Sequence, residues 1–110
     1  MNKIATLNKI ASCGLDLFDK SKFAVGETGA PDAIILRSAS MHEMELPASL
    51  KAIARAGAGV NNIPIEKCTE RGIVVFNTPG ANANAVKELV LAGILLSSRR
   101  IMEGINWAQT

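Results

Sequence analysis

The 110-residue sequence is poor in the residue types that build several common kinds of site. It has one histidine, two cysteines and no tyrosine. Cys13 and Cys68 are far apart and neither belongs to a CxxC pair, so the sequence predicts neither a zinc site nor a disulfide framework. We expect two reduced, partly buried thiols. No Ser/His/Asp set, paired-carboxylate site or metal cluster can be assembled, and no metal is predicted.

An excess of charge of one sign and a long apolar run are also missing. Twelve basic and ten acidic residues leave a net charge of +2 without a basic stripe, which argues against a nucleic-acid binder. The longest strongly apolar run, Leu89 to Leu96, is far shorter than the roughly 20 residues of a bilayer span. The N-terminus is too polar for a secretory signal. We therefore predict a cytoplasmic protein with no membrane or nucleic-acid partner.

What is present is enough apolar sequence, 48%, for one small domain with an aliphatic core. Short apolar runs alternate with segments of helical spacing, which predicts an α/β domain with a parallel sheet of about five strands. The run Ala33–Leu36 is typical of a strand covered on both faces. Strands are predicted at 4–7, 23–25, 33–36, 50–56 and 73–76, and helices at 10–20, 65–71 and 85–102, with a short helical segment at 41–46 and a loop at 26–31.

The segment from Ala85 to Met102 is the longest predicted helix, with Asn82 or Asn84 as its N-cap. Apolar residues leave it almost no polar face, so its middle should be buried nearly all round. It then lies between two domains or packs against a second copy of the chain. Gly104 and the polar tail Asn106 to Thr110 predict fraying of the helix end after Arg100.

Polar residues follow several predicted strands, where ligands of parallel sheets gather. Arg37 and Arg55 each end an apolar strand, and adjacent strands would bring both guanidinium groups to one edge, where they suit carboxylate or phosphate. Solvated strand-end arginines remain the alternative. His42 is predicted to be a surface or structural residue. The residues alone predict an anion-binding α/β module.

The turn from Gly57 to Asn62 invites comparison with the GxGxxG dinucleotide fingerprint. The third glycine is replaced by Asn62, and Asn77 stands where a ribose-binding acid belongs. Gly57 and Gly59 can still let backbone N–H groups approach an anion closely, or they form an ordinary tight turn.

Three stretches carry a resemblance to a known family: RAGAGVNNIP at 55–64, RGIVVFNTPG at 71–80 and NANAVKEL at 82–89. They resemble the D-isomer-specific 2-hydroxyacid dehydrogenases and, within that family, the D-3-phosphoglycerate dehydrogenases of serine biosynthesis. The resemblance implies a flavodoxin-like substrate-binding domain over residues 1–81. It implies that residues 82–110 form a long helix crossing to an NAD-binding domain, and that the whole enzyme transfers a hydride from a phosphorylated 2-hydroxy acid to NAD.

The resemblance also implies roles for particular residues. Ala58 and Val86 would approach the nicotinamide side of NAD. The family's catalytic Arg, Glu and His and its GxGxxG loop have no counterpart here, so we assign no catalytic residue and expect a truncated enzyme or excised domain that neither turns over nor binds NAD strongly. Asn61 and Lys87 depart from the family's usual Asp and common Ala. The substrate-binding residues implied are Arg37, Ser38, Arg55, Gly57, Ala58 and Gly59.

Two other classes of function are alternatives to this one. A non-catalytic anion-binding or dimerisation module would use the apolar helix, and a homodimer through that helix is expected in either case. A receiver-type signalling domain has a similar parallel architecture but needs acidic residues at the first and third strand ends. Those ends carry Asn8 and Arg37, which disfavours the receiver.

Overall fold

A computed structural model of the chain describes residues 2–26 and 29–110. Its strands are β1 (Asn2–Thr6), β2 (Phe23–Val25), β3 (Ala33–Leu36), β4 (Ala52–Arg55) and β5 (Val74–Phe76), and its helices are α1 (Ser12–Leu15), α2 (Ile65–Arg71), α3 (Ala83–Arg99) and α4 (Ile101–Gln109). The five strands form one parallel sheet in the order β2-β1-β3-β4-β5. That is the flavodoxin-like order, so the predicted fold class is confirmed.

The core lies on one face of the sheet. Ile34 and Leu36 of β3 and Ile53 of β4 are fully buried. They pack with residues of the β3–β4 connection and with α2, namely Met41, Leu46, Leu50, Ile63 and Cys68. Burial inside this core raises the pKa of the Cys68 thiol, whereas Cys13 is exposed. The thiolate is the reactive form, so Cys68 is the less reactive of the two thiols.

The prediction that β3 is covered on both faces was wrong. Its residues alternate, with Ile34 and Leu36 buried and Ala33 and Ile35 only partly buried. The helix predicted at 10–20 shortens to α1, which contributes no buried residue and so leaves the second face of the sheet more open. Gly14 within that segment and an uncapped N-terminus explain the shortening, because a helical glycine costs roughly 1 kcal/mol.

One predicted connecting segment has a different structure, and another is described only in part. Residues 41–46 form turns and no helix, because Met41 and Leu46 are both drawn into the core. The loop predicted at 26–31 contains residues 27 and 28, which lie outside the described residues. By contrast, α2 ends where predicted, since Gly72 adopts the left-handed conformation (φ 70°) that closes a helix.

The chain divides into two compact units, Met1–Pro79 and Gly80–Thr110. The second unit consists of α3 and α4, and every residue in it is exposed. Arg100 separates the two helices with a positive φ of 49°. The fraying predicted from Gly104 and the tail Asn106 to Thr110 is not seen, because α4 continues to Gln109. No helix within the described ranges is long and apolar enough to cross a membrane.

Candidate functional site

The carboxyl ends of the central strands bring most of the predicted site residues to one edge of the sheet. Leu36 of β3 pairs with Arg55 of β4, so Arg37 and Arg55 occupy neighbouring positions at the ends of adjacent strands. The bond from Ala56 N–H to the Leu36 carbonyl (2.8 Å) carries this register to the end of the sheet. The loops after β3, β4 and β5 therefore begin side by side.

The segment 37–39, directly after β3, is fixed by two asparagine side chains. Asn8 Oδ1 accepts hydrogen bonds from the N–H groups of Arg37 (2.7 Å) and Ala39 (3.1 Å). Asn62 Nδ2 donates to the carbonyls of the same two residues, at 3.0 and 2.8 Å. The backbone of the segment is thus held on both sides, while the exposed Arg37 guanidinium has no partner among the described residues.

Arg55 lies against its own loop. Its Nη1 donates to the Gly59 carbonyl, and its Nε is buried without a hydrogen-bond partner in the described part of the chain. A Cβ placed on Gly57 would be 3.1 Å from Arg55 Nε, and one placed on Gly59 would be 3.2 Å from Nη1. A side chain at either position would therefore crowd the Arg55 guanidinium, which would have to shift by a few tenths of an ångström. Neither glycine has a positive φ, so only this close approach bears on the choice of glycine here.

Residues after β5 hold the glycine loop from the other side. Thr78 Oγ1 donates to the Arg55 carbonyl (2.7 Å) and accepts from the Gly57 N–H (2.9 Å). Asn77 Nδ2 donates to the Ala58 carbonyl (2.9 Å). The Gly57 N–H is consequently engaged, and the prediction that it faces an anion is corrected: Thr78 occupies it.

Several backbone N–H groups at this edge have no acceptor among the described residues. They include the N–H groups of Ser38, Ala58 and Gly59, all of which are exposed residues. Exposed N–H groups near arginine side chains are suitable donors for carboxylate or phosphate oxygens. This edge of the sheet can therefore accept an anion without first breaking internal hydrogen bonds at these three groups.

The remaining predicted site residues are less informative. Val86 lies near the start of α3 and is half exposed, in the second unit. His42 is exposed, and its Nε2 lies 2.6 Å from the Asn61 carbonyl, which makes it a tie between the loops after β3 and β4. Among the described residues, no three His, Cys, Asp or Glu side chains come together as metal ligands.

The Gly57–Asn62 turn does not fit a dinucleotide. In the fingerprint, glycines leave room for the pyrophosphate, and a helix begins within the motif. Here the space beside Gly57 and Gly59 is taken by the Arg55 side chain, and α2 begins only at Ile65. The sequence departs from the dinucleotide fingerprint at Asn62, and the local structure departs from it as well.

The residues that support this edge were not among the predicted site residues. Asn62 was considered only as a missing glycine, Asn8 and Asn77 only as missing acids, and Thr78 only as part of the stretch RGIVVFNTPG. The available signal was that each of these amide or hydroxyl side chains follows a strand of the same sheet. Such side chains commonly bond neighbouring backbone groups.

The all-parallel sheet with its flavodoxin-like strand order defines a doubly wound α/β domain. The unpaired donors lie at the carboxyl edge of this sheet. A family model described as "D-isomer specific 2-hydroxyacid dehydrogenase, catalytic domain" matches residues 21–108. The chain belongs to this family.

Individual relatives agree with that assignment. A protein of Staphylococcus aureus (strain USA300) that carries the name of a 2-hydroxyacid dehydrogenase is 39% identical over 99 residues, which are 88% of this chain and 31% of that protein. The NAD+-bound 3-phosphoglycerate dehydrogenase of Entamoeba histolytica has a TM-score of 0.72 at 29% identity, over 86% of this chain and 38% of that one. The 2-hydroxyacid dehydrogenase of Ketogulonicigenium vulgare has a TM-score of 0.80 at 26% identity, over 99% and 40%. The chain therefore spans about a third of the length of the curated relative.

Proposed function

We propose that the chain is the substrate-binding part of an NAD-dependent D-3-phosphoglycerate dehydrogenase, and that its sheet edge holds a phosphorylated 2-hydroxy acid. The observation that carries this proposal is the set of unpaired donors described above. Arg37 contributes a free guanidinium, and Ser38, Ala58 and Gly59 contribute free N–H groups. Arg55 adds a second positive charge on the adjacent strand.

The number of positive charges favours a phosphorylated acid over a simple one. A 2-hydroxy acid such as lactate has one anionic end, whereas 3-phosphoglycerate has a carboxylate and a phosphate. Each anionic group is stabilised best by its own charge-assisted hydrogen bonds. Arg37 and Arg55 lie on separate strands and can each serve one end of such a ligand.

The residues in hand bind and orient the acid. Orientation of the reacting carbon is a large part of what a dehydrogenase supplies besides the cofactor's own chemistry. When bound, NAD would accept the hydride, and we assign Ala58 and Val86 to its nicotinamide side by family resemblance. The described residues form no dinucleotide fingerprint, so these 110 residues are expected to bind the acid without oxidising it.

The rival interpretation as a separate anion-binding or dimerisation module is not favoured. The family match continues through α3 and α4 to residue 108, so the helices are part of the same family pattern as the sheet. We still propose that α3 self-associates, because it exposes a row of large apolar side chains.

Titration of 15N-labelled chain with 3-phosphoglycerate, followed by amide chemical shifts, tests the proposal. We expect the amide signals of Ser38, Ala58 and Gly59 to move at millimolar ligand. Arg37→Ala is the cleanest variant, because the Arg37 side chain has no described partner to lose. It should weaken binding about tenfold, the order expected for one hydrogen bond to a charged group.

The matched control is Arg99→Ala, which removes the same charge from the exposed last turn of α3. It should leave the affinity for 3-phosphoglycerate within about twofold of that of the original protein. Arg55→Lys complements these variants, since it keeps the charge but loses the planar donor set. Absence of any shift at these amides, or equal losses for Arg37→Ala and Arg99→Ala, would contradict the proposed site.

A further inference from the structure

The two loops that carry the proposed anion site are joined by asparagine side chains. The proposed function assigns no role to these side chains. The segment 37–39 follows β3 directly as a bend and is not part of the sheet. Asn8 follows β1 and Asn62 lies in the loop after β4, and these are the two strands that flank β3. The two asparagines therefore come from the loops that follow both neighbouring strands.

Their side-chain hydrogen bonds fix the backbone of this segment. Asn8 Oδ1 accepts both N–H groups of Arg37 and Ala39, and Asn62 Nδ2 donates to both carbonyls of these residues. Strand-end backbone groups need partners, and here one side-chain amide supplies two of them on each side. We call Asn8 and Asn62 the asparagine clamp. It leaves the intervening Ser38 N–H unpaired.

Asn62 also ties the segment to the loop that carries the glycines. Its own carbonyl accepts the Met41 N–H (2.8 Å), and the preceding carbonyl, that of Asn61, lies 2.6 Å from His42 Nε2. The side chain and backbone of one residue thus connect the loop after β3 with the loop after β4. Since Arg37 lies on the first loop and Gly59 on the second, their relative position depends on this residue.

The orientation of the Asn62 amide follows from its neighbours. Two carbonyl oxygens face one of its terminal atoms, which must therefore be the NH2 group. Its Oδ1 is buried and has no partner in the described part of the chain. A buried acceptor left unpaired costs free energy, which offsets part of what the two hydrogen bonds donated by Asn62 Nδ2 contribute.

We propose that Asn62, with Asn8, is a positioning residue for the anion site: it fixes the spacing between the Arg37–Ser38 donors and the Arg55–Gly59 donors. This inference rests on the proposed function, because it assigns the clamp to that same site. A ligand with two anionic ends depends on the spacing of the loops, whereas a single anion needs only one of them. The clamp should therefore control affinity for 3-phosphoglycerate far more than affinity for inorganic phosphate.

The experiment compares these two ligands on the same set of variants by amide chemical shifts. Asn62→Ala should weaken binding of 3-phosphoglycerate about tenfold and that of inorganic phosphate by less than about twofold, as expected when pre-positioning is lost and the charges remain. The amide signals of Arg37, Ser38 and Ala39 should shift in the unliganded variant. Asn61→Ala is the matched control, because it is the adjacent asparagine and its side chain makes no hydrogen bond in the described structure. It should behave as the original protein does.

Asn8→Ala removes the other half of the clamp. It tests the positioning role if Asn62→Ala does not fold. Selective loss of 3-phosphoglycerate binding in either clamp variant supports the inference. Unchanged 3-phosphoglycerate binding in a folded clamp variant overturns it while leaving the proposed function intact, and so does an equal loss for both ligands. If the original protein binds neither ligand, the proposed function fails, and the role of the clamp fails with it.

Discussion

The two units of this chain differ in what stabilises their secondary structure. In the first unit the strands are short and the helices few, but many of its described apolar side chains are buried, including the fully buried Ile34, Leu36 and Ile53. In residues 80–110 the helices are long, and no side chain is buried. The first unit is stabilised by burial, while the second depends on helix propensity within the described chain.

This difference bears on how each unit can function. Isolated helices of this length are marginally stable in water, because packing of an apolar face supplies most helical stability in proteins. The proposed anion site, by contrast, lies at the ends of the buried strands β3 and β4. The buried support under the proposed site and the exposed apolar helix are therefore features of separate parts of one chain.

The largest expected difference between the two units is in the effect of truncating an aliphatic side chain to alanine on the free energy of unfolding. Ile34→Ala should lower the free energy of unfolding by about 2–5 kcal/mol, because Ile34 is 0% exposed and its loss leaves a cavity. Leu89→Ala should change it by less than about 0.5 kcal/mol, since Leu89 is 75% exposed. Urea unfolding followed by circular dichroism measures both. Similar losses for the two variants would show that α3 is buried in solution.

Self-association of α3 is the next largest effect. Leu91 and Leu95 are 53% and 57% exposed and lie one turn apart on the same face. Large exposed apolar patches on a monomer mark interaction sites, so a dimer is expected at micromolar concentration. Replacing both leucines by glutamate should weaken it by about 2–3 kcal/mol, or roughly 30- to 150-fold in Kd.

Sedimentation equilibrium over a range of concentrations measures this dissociation. Leu17→Glu serves as the control, since it introduces the same charge at an exposed leucine of the first unit and should leave the mass unchanged. A strictly monomeric mass for the original protein at tens of micromolar would refute the expected dimer.

The fold was predictable wherever a local pattern agreed with the burial that tertiary packing provides. β2, β3 and α2 have the predicted bounds, since apolar runs and the Gly72 cap are local signals. The segment 41–46 was mispredicted because its helical pattern competes with the chance to bury Met41 and Leu46 in the core.

The candidate site was predictable only in part, for a related reason. Strand ends are visible in the sequence, and the adjacency of Arg37 and Arg55 follows from parallel pairing. The contacts of Asn8, Asn62 and Thr78 join residues more than 20 positions apart in sequence. Such hydrogen bonds depend on the register of neighbouring strands, and no local spacing encodes them.

The smallest predicted effect concerns the junction between the two helices of the second unit. Arg100 has φ 49° and ψ 43°, a left-handed conformation that costs a non-glycine residue roughly 1–2 kcal/mol. Arg100→Gly should stabilise the helices by about 0.5–1 kcal/mol, because the lost Arg100–Glu103 ion pair is exposed and offsets part of the gain. Arg99→Gly, one position earlier in the last turn of α3, should destabilise by a similar amount. Amide hydrogen exchange across α3 and α4 should show a two- to fivefold change in protection, of opposite sign in the two variants. If both variants lower protection, the helices do not turn at Arg100 in solution, and the second unit is one continuous helix.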